Sequence, residues 1–323
     1  MASQAPFRFG VEIELLLGCK KKTYTAWKAL AKDLCKKLLK AGIHCHVNEG
    51  NEKSAENYAE WSLVQEITIP NQPAKNLWGI ELVSPVYPAD WYWAGDLHAI
   101  FATLYDSGFT IHPSNHCSTH VHISGLPTPL SALELAAVAK AALYFEPAID
   151  ALAPRDRRAS GTYWCQSSRA SPSLRSYGLA DCLALLDHAA ADPGEARGVV
   201  HALNMFPAAS TYGRAHGKKH DFVRGKVYKW DFSGMLPGGR GTVEFRQGGG
   251  SLDAAAASGW VALVLAFVAA ATDGFGFQVL DPEEGGTGEE LWGFVGRGMG
   301  VLGWGEGDGE ELSWVGGLYA AAE

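Results

Sequence analysis

The chain has 323 residues, 47% hydrophobic and 19% charged, a balance that excludes a disordered polypeptide and supplies core for one large domain or two modest ones. Its 27 basic and 35 acidic residues leave a net charge of −8, which argues against a general nucleic-acid binder. The acidity is local: ten acids and one arginine fall in residues 281–323, and residues 1–280 carry only +1.

From the N-terminus, Phe7, Phe9, Val11, Ile13 and Leu15 alternate with Arg8, Gly10, Glu12 and Glu14, which predicts a strand with one apolar face. A helix follows. Trp27, Leu30, Ala31, Leu34, Cys35, Leu38 and Leu39 form one stripe, lysines the opposite face, and Gly42 the C-terminal cap. Residues 43–47 alternate again, and further strands are predicted near Trp61–Ile69 and Trp78–Val83. Asp90 is placed to cap a helix running to Asp106. Thr119 to Ser124 reads as a strand with His120, His122 and Ser124 on one face. Ser131 and Glu134 make a capping box for a helix through about Leu152.

Residues 154–230 show no clear period and hold twelve Lys/Arg against six Asp/Glu. Thr242 to Gln247 is a predicted strand with Glu244 and Arg246 on one face, and Asp253 opens an alanine-rich run. That run approaches membrane length but lacks basic flanks, so it is expected to be a buried core helix, with no membrane span. The final 43 residues contain 13 glycines; a partly ordered appendage anchored by Trp292, Trp304 and Trp314 is expected there. The division is thus a body of residues 1–280 and an appendage of residues 281–323. Strands and helices mix irregularly, which points to an α+β fold with a largely antiparallel sheet. Six cysteines without CxxC spacing, and no signal peptide after Met1, suggest free thiols and a cytoplasmic location.

The polar faces of the strands carry the chemistry. Glu12 and Glu14, Glu81, His120 and His122, and Glu244 with Arg246 each lie opposite hydrophobes on their own strand. With a strand period of 2, residues two apart emerge on the same side. If these strands are neighbours, carboxylates and imidazoles converge. Carboxylates so crowded resist joint ionisation, and a divalent cation resolves the conflict; oxygen-rich ligation favours Mg²⁺ or Mn²⁺.

Four stretches, Phe9-Gly-Val-Glu-Ile-Glu14, Gly79-Ile-Glu-Leu-Val-Ser-Pro85, Cys117-Ser-Thr-His-Val-His-Ile-Ser124 and Thr242-Val-Glu-Phe-Arg-Gln247, resemble in order the motifs of the amidoligase family. That family is related to glutamine synthetase and glutamate–cysteine ligase, and the resemblance covers roughly residues 7–270. It implies a glutamine-synthetase-like catalytic domain: a curved, largely antiparallel sheet with helices on its outer face. It further implies Glu12, Glu14, Glu81, His120 and Glu244 as metal ligands, His122 and Ser124 beside the nucleotide, and Arg246 beside the transferred phosphate. Trp61 followed by Glu66-Ile-Thr68 is similar to another family strand, which makes Glu66 an added ligand or a proton-accepting acid. Arg155, Arg157 and Arg158 follow a stretch the family also shows and are candidates for holding a carboxylate or phosphate.

Two departures stand out. Ser118 replaces the usual glycine, and Lys226-Val-Tyr-Lys-Trp-Asp231 replaces an R-Y-x-x-x-N pattern, with Lys226 a less bidentate substitute for its arginine. The reading implied is an ATP- and Mg²⁺-dependent ligase joining small-molecule or peptide carboxylates and amines through an acyl phosphate. A metal-dependent hydrolase and a catalytically degenerate nucleotide-binding protein are the alternatives.

Overall fold

The computed structural model describes residues 6–50, 58–89, 93–191, 196–204, 226–274, 279–304, 313 and 315–318. The first strand, β1 (Phe7–Cys19), is long enough to serve as the spine of the sheet. The sequence alternation holds: Phe9, Val11, Ile13, Leu15 and Leu17 are all buried in the main core. One border of β1 pairs with β4 (Trp78–Val83) and β5 (Tyr87–Pro88), the other with β6 (Phe109–His112) and β7 (Ser118–Gly125), all antiparallel. Beyond β4 come β3 (Trp61–Gln65) and β2 (Cys45–Val47); beyond β7 come β9 (Val243–Gly249) and β8 (Trp230–Asp231). The described strands thus follow the order β2-β3-β4-β1-β7-β9-β8, with β2 parallel to β3. This is an α+β fold on a largely antiparallel sheet.

The helices lie on the apolar face. The α1 helix (Trp27–Lys40) buries Leu30, Ala31, Leu34, Cys35 and Leu38, and Gly42 follows at φ +86°, the left-handed region that glycine enters without a Cβ penalty. Leu39, assigned to the stripe from sequence, is instead 48% exposed. The α2 helix spans Trp93–Asp106; its expected cap Asp90 lies outside the described residues. The Ser131–Glu134 capping box is present, but the helix it opens is not continuous to Leu152. It ends at Tyr144, and α4 (Glu146–Leu152) starts anew after Phe145 with Pro147 in its first turn, because proline has no N–H to continue the ladder. The region read as irregular also holds α5 (Leu179–Ala191) and α6 (Arg197–Asn204).

The alanine-rich run is α7 (Ala254–Thr272), capped by Asp253 Oδ1 on the Ala256 N–H at 2.8 Å. Among the described residues it alone has the length and apolarity of a membrane span, and 89% of that window is buried inside the protein. It packs against α2, α3 (Ala132–Tyr144), β1 and β7. Phe245 and Trp260 approach to 5.8 Å between ring centres. A further helical neighbour comes from the C-terminal segment: α8 (Gly288–Val301) docks through Leu291, Phe294, Val295 and Met299. Gly298 permits the approach, since a Cβ there would stand 1.8 Å from the Ala266 carbonyl oxygen. The anchoring follows the sequence expectation at Trp304 and departs from it at Trp292. Trp292 is 40% exposed, Trp304 is partly buried against the core, and Trp314 lies outside the described residues.

Candidate active site

The strand order places every acid-bearing strand beside the next. On β1, Glu14 stands opposite Glu81 of β4, and Glu12 opposite His120 of β7. Further across, His122 faces Glu244 of β9, and Glu244 faces Asp231 of β8. Side chains of one parity therefore meet on the face away from the helices. The β7–β9 pairing carries a bulge: Thr119 pairs with Gly248 but Val121 with Phe245, so Arg246 and Gln247 together oppose His120. An extra residue of this kind re-aims side chains, and here Arg246 Nη1 bonds Glu244 Oε1.

These charged groups are buried: Glu12, Glu14, Glu81, His120, Glu244 and Arg246 are each 9% exposed or less. They form two groups whose ligand atoms lie within 4.8 Å of one another: Glu12, His120 and Glu244, and Glu14, Glu66 and Glu81. Glu66 reaches the second group from just past the end of β3, with Oε1 held by the Thr68 N–H at 2.6 Å.

Ser118, the residue standing where the family pattern has glycine, links Glu14 to His120. While Glu14 is ionised the Ser118 hydroxyl donates its one proton to it and accepts from His120 Nε2 at 2.8 Å, which leaves the lone pair on Nδ1. That Nδ1 has no hydrogen-bond partner and sits 3.5 Å from Glu12, 3.6 Å from Glu244 and 4.0 Å from Glu14. A buried lone pair facing three carboxylates is repulsive unless a cation lies among them. The donor set, oxygen-dominated with one imidazole, fits Mg²⁺ or Mn²⁺.

Protonation follows the neighbours. Burial, then the charge of Glu66, pushes Glu14 up to about 7. Burial, then Arg246, lowers His120 to about 4, so its imidazole is neutral near pH 7. Burial also works to raise Glu244, but Arg246, followed by His122 and His120, holds it below the usual carboxylate range. Burial and then Glu244 raise Asp231.

The remaining sequence candidates separate. Ser124 is buried and, with His122, Glu12, Gly10 and Thr242, lines a cavity of about 430 Å³. At its edge the Arg240 guanidinium lies 4.6 Å from the Tyr58 ring centre. A second cavity, about 340 Å³, opens on the other side from Glu14 and includes Arg157. Arg155 is exposed and Arg158 spends its guanidinium on the Ala153 and Ala151 carbonyls; neither lines either cavity. Lys226 is half-buried, and the lysine this segment buries near the site is Lys229. Its Nζ pairs with Asp150 and, at 3.3 Å, with Glu146, and its carbonyl accepts the Arg246 N–H at 2.8 Å. Sequence reasoning passed over Lys229 and Asp231, although the apolar Trp230 between them signals that both emerge on the polar face.

Comparison with curated proteins returned no match. Residues 5–179, more than half of the chain, match the family profile described as "Putative amidoligase enzyme". The match takes in the strands of Glu12, Glu14, Glu66, Glu81, His120, His122 and Ser124; Glu244 and Arg246 lie beyond it. The chain therefore belongs to the amidoligase family, enzymes named for joining carboxylates and amines in amide bonds.

Proposed function

We propose that the protein is an ATP- and Mg²⁺-dependent ligase that joins a carboxylate to an amine through an acyl phosphate, on a glutamine-synthetase-like site. The observation that carries the reading is the His120 Nδ1 lone pair aimed at Glu12, Glu14 and Glu244 in a buried, carboxylate-rich cluster. Glu12, His120 and Glu244 would hold one cation and Glu14, Glu66 and Glu81 another; Glu66 is assigned as a ligand because it converges with the other two acids. Bound there, Mg²⁺ (or Mn²⁺) supplies the positive charge that phosphate oxygens need during transfer.

The cavity on the Glu12 side is assigned to ATP, with His122 and Ser124 on its wall and the Tyr58–Arg240 pair at its edge. Arg246, held by Glu244 and by its backbone bond to Lys229, is assigned to bond the phosphoryl group in flight with its planar fork. The carboxylate takes the γ-phosphoryl and ADP leaves. The amine nitrogen then attacks the acyl carbon, inorganic phosphate departs, and the nitrogen gives up a proton. A carboxylate is too poor an electrophile to skip the first step. The six free cysteines support a reducing, cytoplasmic setting.

The test is a mass-spectrometric screen of acid–amine pairs with ATP and Mg²⁺. ADP release that requires one particular pair, with the amide as product, is expected. Glu12→Gln and His120→Ala should each reduce it at least ~10³-fold while the protein stays folded, since each removes charge neutralisation at the transferring group. Amide or phosphate hydrolysis without nucleotide would replace the ligase with a hydrolase, and full activity in either variant would remove the cluster from the mechanism.

A further inference from the structure

Helix α1 and strand β2 carry one cysteine each, and the two side chains meet. Cys35 belongs to the buried stripe of α1, and Cys45 opens β2 within the same core. The Cys35 thiol donates to the Cys45 carbonyl at 3.2 Å. The Cys45 thiol stands 3.2 Å from the Cys35 sulfur and 3.5 Å from the Cys35 carbonyl. All six thiols of the chain are free, and among the described residues no other two cysteine sulfurs are in contact.

A pair so placed is one bond short of a bridge. A disulfide holds its sulfurs at about 2.05 Å with the two side chains directed at each other. The helix–strand connection has already brought these sulfurs together, so little movement remains. In the closed fold the pair is quiet. Only a thiolate attacks a disulfide, and burial, then the hydrogen bond with Cys35, holds the Cys45 thiol above its usual range. The way in is the edge of the sheet. Strand β2 has three residues, and its one described strand partner is β3. Short edge elements open locally at far less cost than the core, and opening of β2 brings Cys45 to water.

We infer that Cys35 and Cys45 form a reversible disulfide site, closed by exchange with a low-molecular-weight disulfide such as oxidised glutathione. The inference is independent of the ligase reading. The Cys45 thiolate of the opened strand attacks one sulfur of the glutathione disulfide. That S–S bond breaks, a mixed disulfide forms on Cys45 and one glutathione leaves. The Cys35 thiolate then attacks the Cys45 sulfur and expels the second glutathione. The two cysteines give up two electrons and two protons, and the two glutathiones take them. Because Cys35 lies beside Cys45, the second step is intramolecular and precedes capture of another glutathione. The bridge ties the C-terminal half of α1 to β2, and a dithiol reductant reopens it by the same route.

The experiment treats the intact, folded protein with oxidised glutathione and then blocks remaining thiols with iodoacetamide in denaturant. Peptides are mapped by mass without reduction. Trypsin cuts at Lys36, Lys37 and Lys40 and so separates the two cysteines. Their peptides should appear as a linked pair lighter by two hydrogens, unalkylated and free of glutathione, and dithiothreitol should release them. Cys35→Ser should stop at the mixed disulfide and keep one glutathione on Cys45. Cys182→Ser, which removes a thiol outside the pair, should still form the bridge. Alkylation of both Cys35 and Cys45 throughout, glutathione retained on either in the wild-type protein, or a bridge mapped to another pair would overturn the site. If a variant does not fold, the wild-type peptide map decides by itself.

Discussion

Glu14 and Glu244, one from each acid group on the sheet face, are the same residue type and end in opposite electrostatic states. Glu14, Glu66 and Glu81 converge, and burial carries Glu14 up to about 7 against the lowering charges of Arg246 and Arg157. Glu12 and Glu244 lie beside Arg246 and the imidazoles of His120 and His122, and Glu244 is held low although it is as buried as Glu14. Neighbours, not residue identity, decide which carboxylate is charged. Glu244 is thus kept ionised by an internal arginine. Glu14 stays partly protonated near neutral pH and gives up its proton when a cation binds.

The sharpest way to break this contrast is at Arg246. If its role is only to keep Glu244 ionised, Arg246→Lys preserves it. If it also orients the phosphoryl group in transfer, lysine lacks the fork, and the loss is about 3–5 kcal/mol of transition-state stabilisation, or roughly 10²–10⁴ in rate. The expected result is that larger loss, read as ADP formation at saturating ATP and Mg²⁺. A near-wild-type rate would make Arg246 a counter-charge alone.

Next in size is the pH dependence of the metal-free protein, where the two groups pull in opposite directions. Glu14 moves from 4.5 to about 7 on folding, so the native state holds its proton more tightly, and stability falls as pH rises through that interval. Its full effect is on the order of 3 kcal/mol. His120 moves from 6.5 to about 4, so the unfolded state binds the proton more tightly, and stability falls as pH drops from 6.5. Between about pH 4.5 and 6.5 these two contributions oppose each other and largely cancel. Denaturant titrations of Glu14→Gln should show stability rising with pH across that window, then levelling. A variant curve parallel to wild type would mean Glu14 is not the raised carboxyl.

The smallest expected effect serves as the control. Arg155 is exposed and lines neither cavity, so Arg155→Ala should change turnover less than about twofold and stability within ~0.5 kcal/mol. A tenfold rise in KM for either substrate would return Arg155 to the binding site.

Much of this architecture was legible because strand parity is local. Glu12, Glu14, His120, His122, Glu244 and Arg246 each declare their face by alternating with buried Val11, Ile13, Val121, Val243 and Phe245. Lys229 and Asp231 went unread because β8 is two residues long, too short for a period to register. The α5 helix carried a period, in Leu179, Cys182, Leu183, Leu186 and Ala190, which the basic, glycine- and serine-containing surroundings obscured.

The sequence by itself determined which side chains share a face, where α1, α3 and α7 begin, and that the acids must be either solvated or metal-bound. Only the tertiary structure decided that these faces adjoin, because strand order depends on contacts between distant segments that no local period encodes. It also decided the bulge that places Arg246 opposite His120, the docking of α8 by Leu291 and Phe294, and the use of Arg157 as a clamp on two carbonyls. Each of these turns on which backbone atom or side chain of a remote segment arrives within reach. That is a property of packing, which the linear order of residues does not carry.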